Sequence, residues 1–152
     1  MAGHPWKTVT AFEPEIALAL ARVQSEVFAS GEYGFANLMT KAFAALGRPS
    51  PPLPAQRVAR SIDEARELGA ESGTYSVLDV YEIGEVPGPG VMGPFSNEVL
   101  REKVGSEQPT LEAVESRLGS LYALLDRGSS GYVVCHDGGE PSHYVFVGMS
   151  FD

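Results

Sequence analysis

Three side chains capable of nucleophilic, acid–base or metal chemistry crowd the C-terminal segment Gly131–Asp152. They are Cys135, His136 and His143, the only cysteine and two of the three histidines. A thiol within hydrogen-bond reach of an imidazole would make an activated nucleophile. Cys135 and His136, however, are neighbours on what reads as a strand, where successive side chains point to opposite faces, so they cannot serve each other. Cys135 would need His143 from the return strand. With Gly138-Gly139 as the two central residues of the turn, Val134 lies opposite His143 and Cys135 opposite Ser142. A four-residue loop over about 138–141 instead sets His136 opposite His143. Neither register pairs Cys135 with His143, so the expectation is a buried cysteine acting as a small apolar residue.

If paired, His136 and His143 would offer two nitrogens to a metal, with Asp137 or Glu140 as a third ligand. Asp137 before Gly138 is equally what a tight turn prefers. No H-x-x-x-H or H-E-x-x-H spacing occurs, and neither a metal nor another cofactor is expected. His4 lies in what reads as a frayed N-terminus.

A second acid–base set is Asp79, Glu82 and Glu85 with Tyr75 and Tyr81. Glu85 opens a glycine–proline loop where a strand-end carboxylate would reach a pocket. Two carboxylates alone do not specify a glycosidase, because their separation and acidity decide that chemistry. In the same loop, Gly88-Pro89-Gly90-Val91-Met92-Gly93 matches G-x-G-x-x-G literally. Phosphate cradling uses backbone N–H groups, and Pro89 and Pro94 each remove one, so no nucleotide is expected. A loop over 84–95 lying across a pocket fits the composition better.

The elements that must position these groups read as follows. Pro14 and flanking glutamates open a helix to about Ala29, with Ile16, Leu20, Val23 and Val27 on one face and Ser30-Gly31 as its stop. Trp6 and Phe12 are expected to pack beneath it. Asn37–Leu46 suits a second helix. Four prolines then crowd Arg48–Pro54, whose Pro51–Pro54 core favours polyproline II and a stiff connector. Ser61 and Glu64 form a capping box for a short helix to Leu68. Thr74–Tyr81 is β-branched and aromatic, predicting a strand with Asp79 on the same side as Tyr75, Val77 and Tyr81. On that side Asp79 is either solvated or a partly buried acid needing a partner. A helix over 96–104 precedes the longest one, 110–127, capped by Thr110 and carrying Leu111, Val114, Leu118, Leu121 and Leu125 in one stripe. The class is α+β: one domain over 1–152, a small antiparallel sheet with a C-terminal hairpin, and helices packed on one face. Tyr132, Val134, Val145 and Val147 are expected in its core.

The net charge of −9 is unevenly spread: residues 1–60 carry +2, residues 61–115 carry −9 and the rest −2. Such a field repels nucleic-acid phosphates and attracts a basic protein. Asp63, Glu64, Glu67, Glu71, Glu98 and Glu102 are the partner-binding candidates. A single cysteine allows no intrachain disulfide, and no apolar run approaches signal or membrane length, so a soluble cytoplasmic protein is expected. Eight arginines to three lysines, with abundant Ala, Gly and Pro, is a composition associated with GC-rich bacterial genes.

The leading functional expectation is a non-enzymatic protein that neutralises or regulates a basic partner, in the manner of immunity or antitoxin proteins. The alternative is a small enzyme or metabolite-binding protein with a pocket between the sheet and the 84–95 loop. Its candidate groups are Asp79, Glu85, Cys135, His136 and His143, of which at least three would have to converge on one cavity.

Overall fold

A computed structural model describes residues 3–49, 59–69 and 73–151. Five strands form one sheet: β1 (Pro5–Ala11), β2 (Glu82–Ile83), β3 (Val91–Pro94), β4 (Ser130–Asp137) and β5 (Glu140–Met149), in the order β1-β5-β4-β3-β2. The α+β expectation holds, with two changes of detail. β1, β5 and β4 pair antiparallel, but β4, β3 and β2 pair parallel, so the sheet is mixed. Parallel neighbours need a crossover, and three short helices provide it between β3 and β4: α4 (Asn97–Lys103), α5 (Leu111–Glu115) and α6 (Leu118–Tyr122). The earlier helices are α1 (Ile16–Ser30), α2 (Phe35–Ala45) and α3 (Ile62–Leu68).

Helices cover both faces of the sheet rather than one. On one side Val133, Cys135, Val145, Val147 and Met149 meet Leu100, Val114, Leu121 and Leu125 from the crossover region. On the other, Trp6, Met92, Tyr144 and Phe146 meet Ala19, Leu20 and Val23 of α1. The cause is legible in the hairpin itself. Gly131–Cys135 and Tyr144–Val147 are apolar at both parities, as a doubly covered strand requires. Burial therefore extends to Val133, Cys135, Tyr144 and Phe146, while Tyr132 and Val134 are only partly covered.

Three local expectations give way. Thr74–Tyr81 is not a strand: Tyr75 adopts φ 57°, and Val77–Asp79 forms a 3-10 turn. Side chains compete there with strand pairing, since Ser76 Oγ accepts from the Leu78 N–H at 3.2 Å and contacts Thr74 Oγ1 at 2.8 Å. The predicted helix 110–127 breaks between α5 and α6. Ser116 Oγ donates to the Ala113 carbonyl at 2.9 Å, and Arg117 leaves helical geometry at φ −123°, ψ 18°. The leucine–valine stripe nevertheless faces the core from end to end. Nor is the N-terminus frayed: Pro5–Ala11 is a strand, and the His4 N–H donates to Ser150 Oγ at 2.8 Å. Its Thr8-Val9-Thr10 run is β-forming, a signal masked in sequence because Lys7 shares a face with Val9. Trp6 packs in the α1-side core, with Phe12 partly buried against it.

The N-caps read at Ser61 and Thr110 form, and Ser96 supplies a third that the sequence reading did not assign. Ser61 accepts from Glu64 N–H at 3.1 Å, Ser96 from Val99 N–H at 3.2 Å and Thr110 from Ala113 N–H at 3.1 Å. Gly31, at φ 72°, closes α1 by donating to the Val27 and Phe28 carbonyls. The Pro51–Pro54 connector lies outside the described residues. No described helix is long and apolar enough to cross a membrane.

Candidate functional site

The hairpin turn has Gly138 and Gly139 at its centre, with φ 61° and 83°, and Asp137 opposite Glu140. That would put Cys135 opposite Ser142, but the register shifts between Cys135 and His136: His136 pairs with Pro141, whereas Cys135 pairs with His143. Ser142 is the extra residue, a bulge of the kind that re-aims side chains. Its hydroxyl bonds the Cys135 carbonyl at 3.3 Å and meets His143 Nδ1 at 3.0 Å. The expectation that no register pairs Cys135 with His143 is thus overturned, because it allowed for turn length and not for a bulge.

This pairing still does not make a nucleophile. Cys135 is fully buried, and no hydrogen bond joins its thiol to the imidazole. Burial, reinforced by the Glu115 carboxylate, pushes the thiol up to about 11. A reactive cysteine needs the opposite shift. Nor does the bulge create a metal site. It leaves His136 and His143 out of register, and among the described residues no three His, Cys, Asp or Glu side chains form a group that could hold a metal ion.

Asp79 is a buried acid, 5 % exposed. Its Oδ1 accepts from the Thr74 N–H at 2.6 Å, while Oδ2 has no hydrogen-bond partner among the described residues. Burial raises its pKa, opposed by its hydrogen bonds to Thr74 and Tyr75 and by Arg66. Arg66 itself is committed nearby: it donates to the Leu78 and Val80 carbonyls at 2.6 and 2.7 Å and lies 4.5 Å over the Tyr81 ring. Gln24 donates to the Val77 and Val80 carbonyls. Asp79 therefore organises the 73–80 segment, including the left-handed Tyr75, and its neighbours are structural.

Glu85 is exposed. The loop it opens is zipped to the sheet rather than laid over a pocket. Gly88-Pro89-Gly90-Val91 forms a tight turn with proline second and Gly90 third at φ 71°, the pattern of a type II turn. Gly84 N–H donates to the Met92 carbonyl and Gly90 N–H to Gly128. A Cβ on Gly93 would collide with the Val86 and Pro87 backbone, so this glycine serves the chain's own packing and not a phosphate.

Cavities of about 210, 220, 580 and 570 Å³ open on the surface. Of the five catalytic candidates only His136 lines any of them, the last, in a groove beside the edge of β4. Reading the sequence for titratable residues missed this groove because most of its lining is non-titratable and comes from separate segments of the chain.

The acidic candidates do not share one surface. Asp63, Glu64 and Glu67 lie on α3, which packs with Val27 and Phe28 of α1 on one side of the sheet. Glu98 and Glu102 lie on α4, which covers the other. Asp63, Glu67, Glu98 and Glu102 are exposed and Glu64 is half-buried, while Glu71 lies outside the described residues. Within 61–115 each described cation is taken by a carboxylate: Arg66 by Asp63 at 3.5 Å, Arg101 by Glu107 at 2.7 Å and Lys103 by Glu102 at 3.5 Å. Glu67, Glu82, Glu85, Glu98 and Glu112 have no cationic partner among the described residues.

Comparison of the chain with family models, with curated proteins and with solved structures returned no match.

Proposed function

We propose that this chain is a protein-binding module that regulates or neutralises a partner with a basic surface, and that it works without catalysis. The carrying observation is the uncompensated charge. The cations within the acidic stretch are paired internally, leaving Glu98 and Glu112 on the outer surface of the crossover helices facing solvent. Such a field steers an oppositely charged protein and sets specificity more than raw affinity. The dispersal of Asp79, Glu85, Cys135, His136 and His143 supports the same reading, since catalysis needs such groups to converge on one cavity. Of the two acidic sides, the α4–α5 side is the binding side in this proposal, because it adjoins the open groove at β4.

Affinity capture from the source cell tests the proposal. A basic protein should be retained at low salt by the wild type and by the D63K/E67K variant, and lost with E98K/E112K. Recovery of no partner at either low or moderate salt would count decisively against it.

A further inference from the structure

β4 loses its neighbour halfway along. β3 accompanies it only to Pro94 opposite Tyr132, where the Phe95 N–H donates to the Tyr132 carbonyl at 3.4 Å. Further along, the His136 N–H donates to the Pro109 carbonyl at 2.8 Å. Alternate residues of a strand project their amides to the same edge, so Val134 between them presents both N–H and C=O outward. Neither is bonded to any other segment among the described residues. An open strand edge of this kind is a template for another chain.

The groove along this edge, about 570 Å³, is walled by Phe12, Phe95, Leu100, Tyr132 and Pro141. His136 also lines it, with Nδ1 shielded from solvent and without a partner among the described residues. The gap from residue 132 to 136 spans roughly 13 Å at strand rise, room for about three extended residues. Its rim is acidic: Glu107 lines it, and exposed Glu98, Asp137 and Glu140 adjoin the lining residues Asn97, His136 and Pro141. Arg101 offsets only Glu107.

We infer that this groove binds an extended segment of a protein partner as a short added strand, its backbone bonding Val134 and its flanking residues basic. This mode of recognition draws affinity from main-chain hydrogen bonds and specificity from neighbouring pockets. The inference rests on the protein-binding reading above in taking a polypeptide as the occupant.

The test titrates the isotope-labelled full chain with acetyl-Lys-Thr-Val-Thr-Lys-amide and follows amide resonances. Saturable shifts are expected at Phe95, Val134 and His136, with slowed exchange of the Val134 N–H. Methylating the central peptide nitrogen should weaken binding about tenfold, the effect of losing one good hydrogen bond. Replacing both lysines by glutamate should weaken it as well. Absence of saturable shifts at those amides, or equal binding of the methylated peptide, overturns the added-strand mode; equal binding of the glutamate-flanked peptide overturns the basic flanks. A captured basic partner that leaves Val134 exchange unchanged would refute this docking mode while sparing the broader proposal. Peptide binding without any salt-sensitive partner would do the reverse.

Discussion

Cys135 and Asp79 are the two buried ionisable groups on which a catalytic account would have rested, and each makes a separate prediction. The Cys135 thiol stands at about 11 against an ordinary 9, so the fold favours its neutral form. Its stabilising contribution is complete below pH 9 and is lost as pH rises through 11, on the order of 3 kcal/mol for this group alone. In urea titrations across that window, C135A should show a shallower loss of stability than wild type; an unchanged slope would contradict the burial argument. C135S should cost about 1–3 kcal/mol, because its buried hydroxyl would lack a partner. Asp79 also has a raised pKa through burial. Its stabilising contribution is present below its ordinary 3.8 and is lost as pH rises through the folded value, so at neutral pH the ionised form weighs against folding. D79N keeps an oxygen for the Thr74 N–H and should match or exceed wild-type stability at pH 7. D79A should lose about 1–3 kcal/mol by leaving that N–H unpaired. A D79N variant as unstable as D79A would show that the charge itself is needed.

Among the elements, the glycine–proline loop is the sharpest case of one motif admitting two physical explanations. If Gly93 is needed because its Cα packs under the Val86–Pro87 backbone, G93A should destabilise the protein by about 3 kcal/mol or more through overpacking. G88A should be mild, since the nearest atom to its added Cβ is Val91 Cβ at 3.9 Å. Equal effects in thermal or chemical unfolding would refute the packing account. The caps at Ser61 and Thr110 were legible in sequence because each is a local side-chain-to-backbone bond. The segments that misled were those in which local chemistry conflicted with pattern. Thr74, Ser76 and Asp79 sit in a β-branched run, yet the Asp79 and Ser76 oxygens accept from backbone N–H groups, and the Thr74 hydroxyl meets that of Ser76, which bends the chain. The bulge at Ser142 could not be read from the turn residues, because it lies beyond them and shifts the register only between Cys135 and His136.

For the molecule as a whole, composition indicated an acidic middle, but only the fold could say where that charge lies. The sheet divides it, placing α3 on one side and α4 and α5 on the other. The same three-layer arrangement buries Cys135, sends His136 to an edge and seats Asp79 within a structural loop. It also leaves Val134 with an unpaired backbone amide beside an acidic rim. The binding account therefore rests on surface charge and an incomplete strand ladder. Its most direct test is the dissociation constant of the captured partner, measured as a function of salt for the wild type, D63K/E67K and E98K/E112K. Affinity should fall steeply with salt for the wild type and D63K/E67K, and E98K/E112K should bind about tenfold or more weakly at low salt with a flattened dependence. Salt-independent binding, equal in all three proteins, would contradict it.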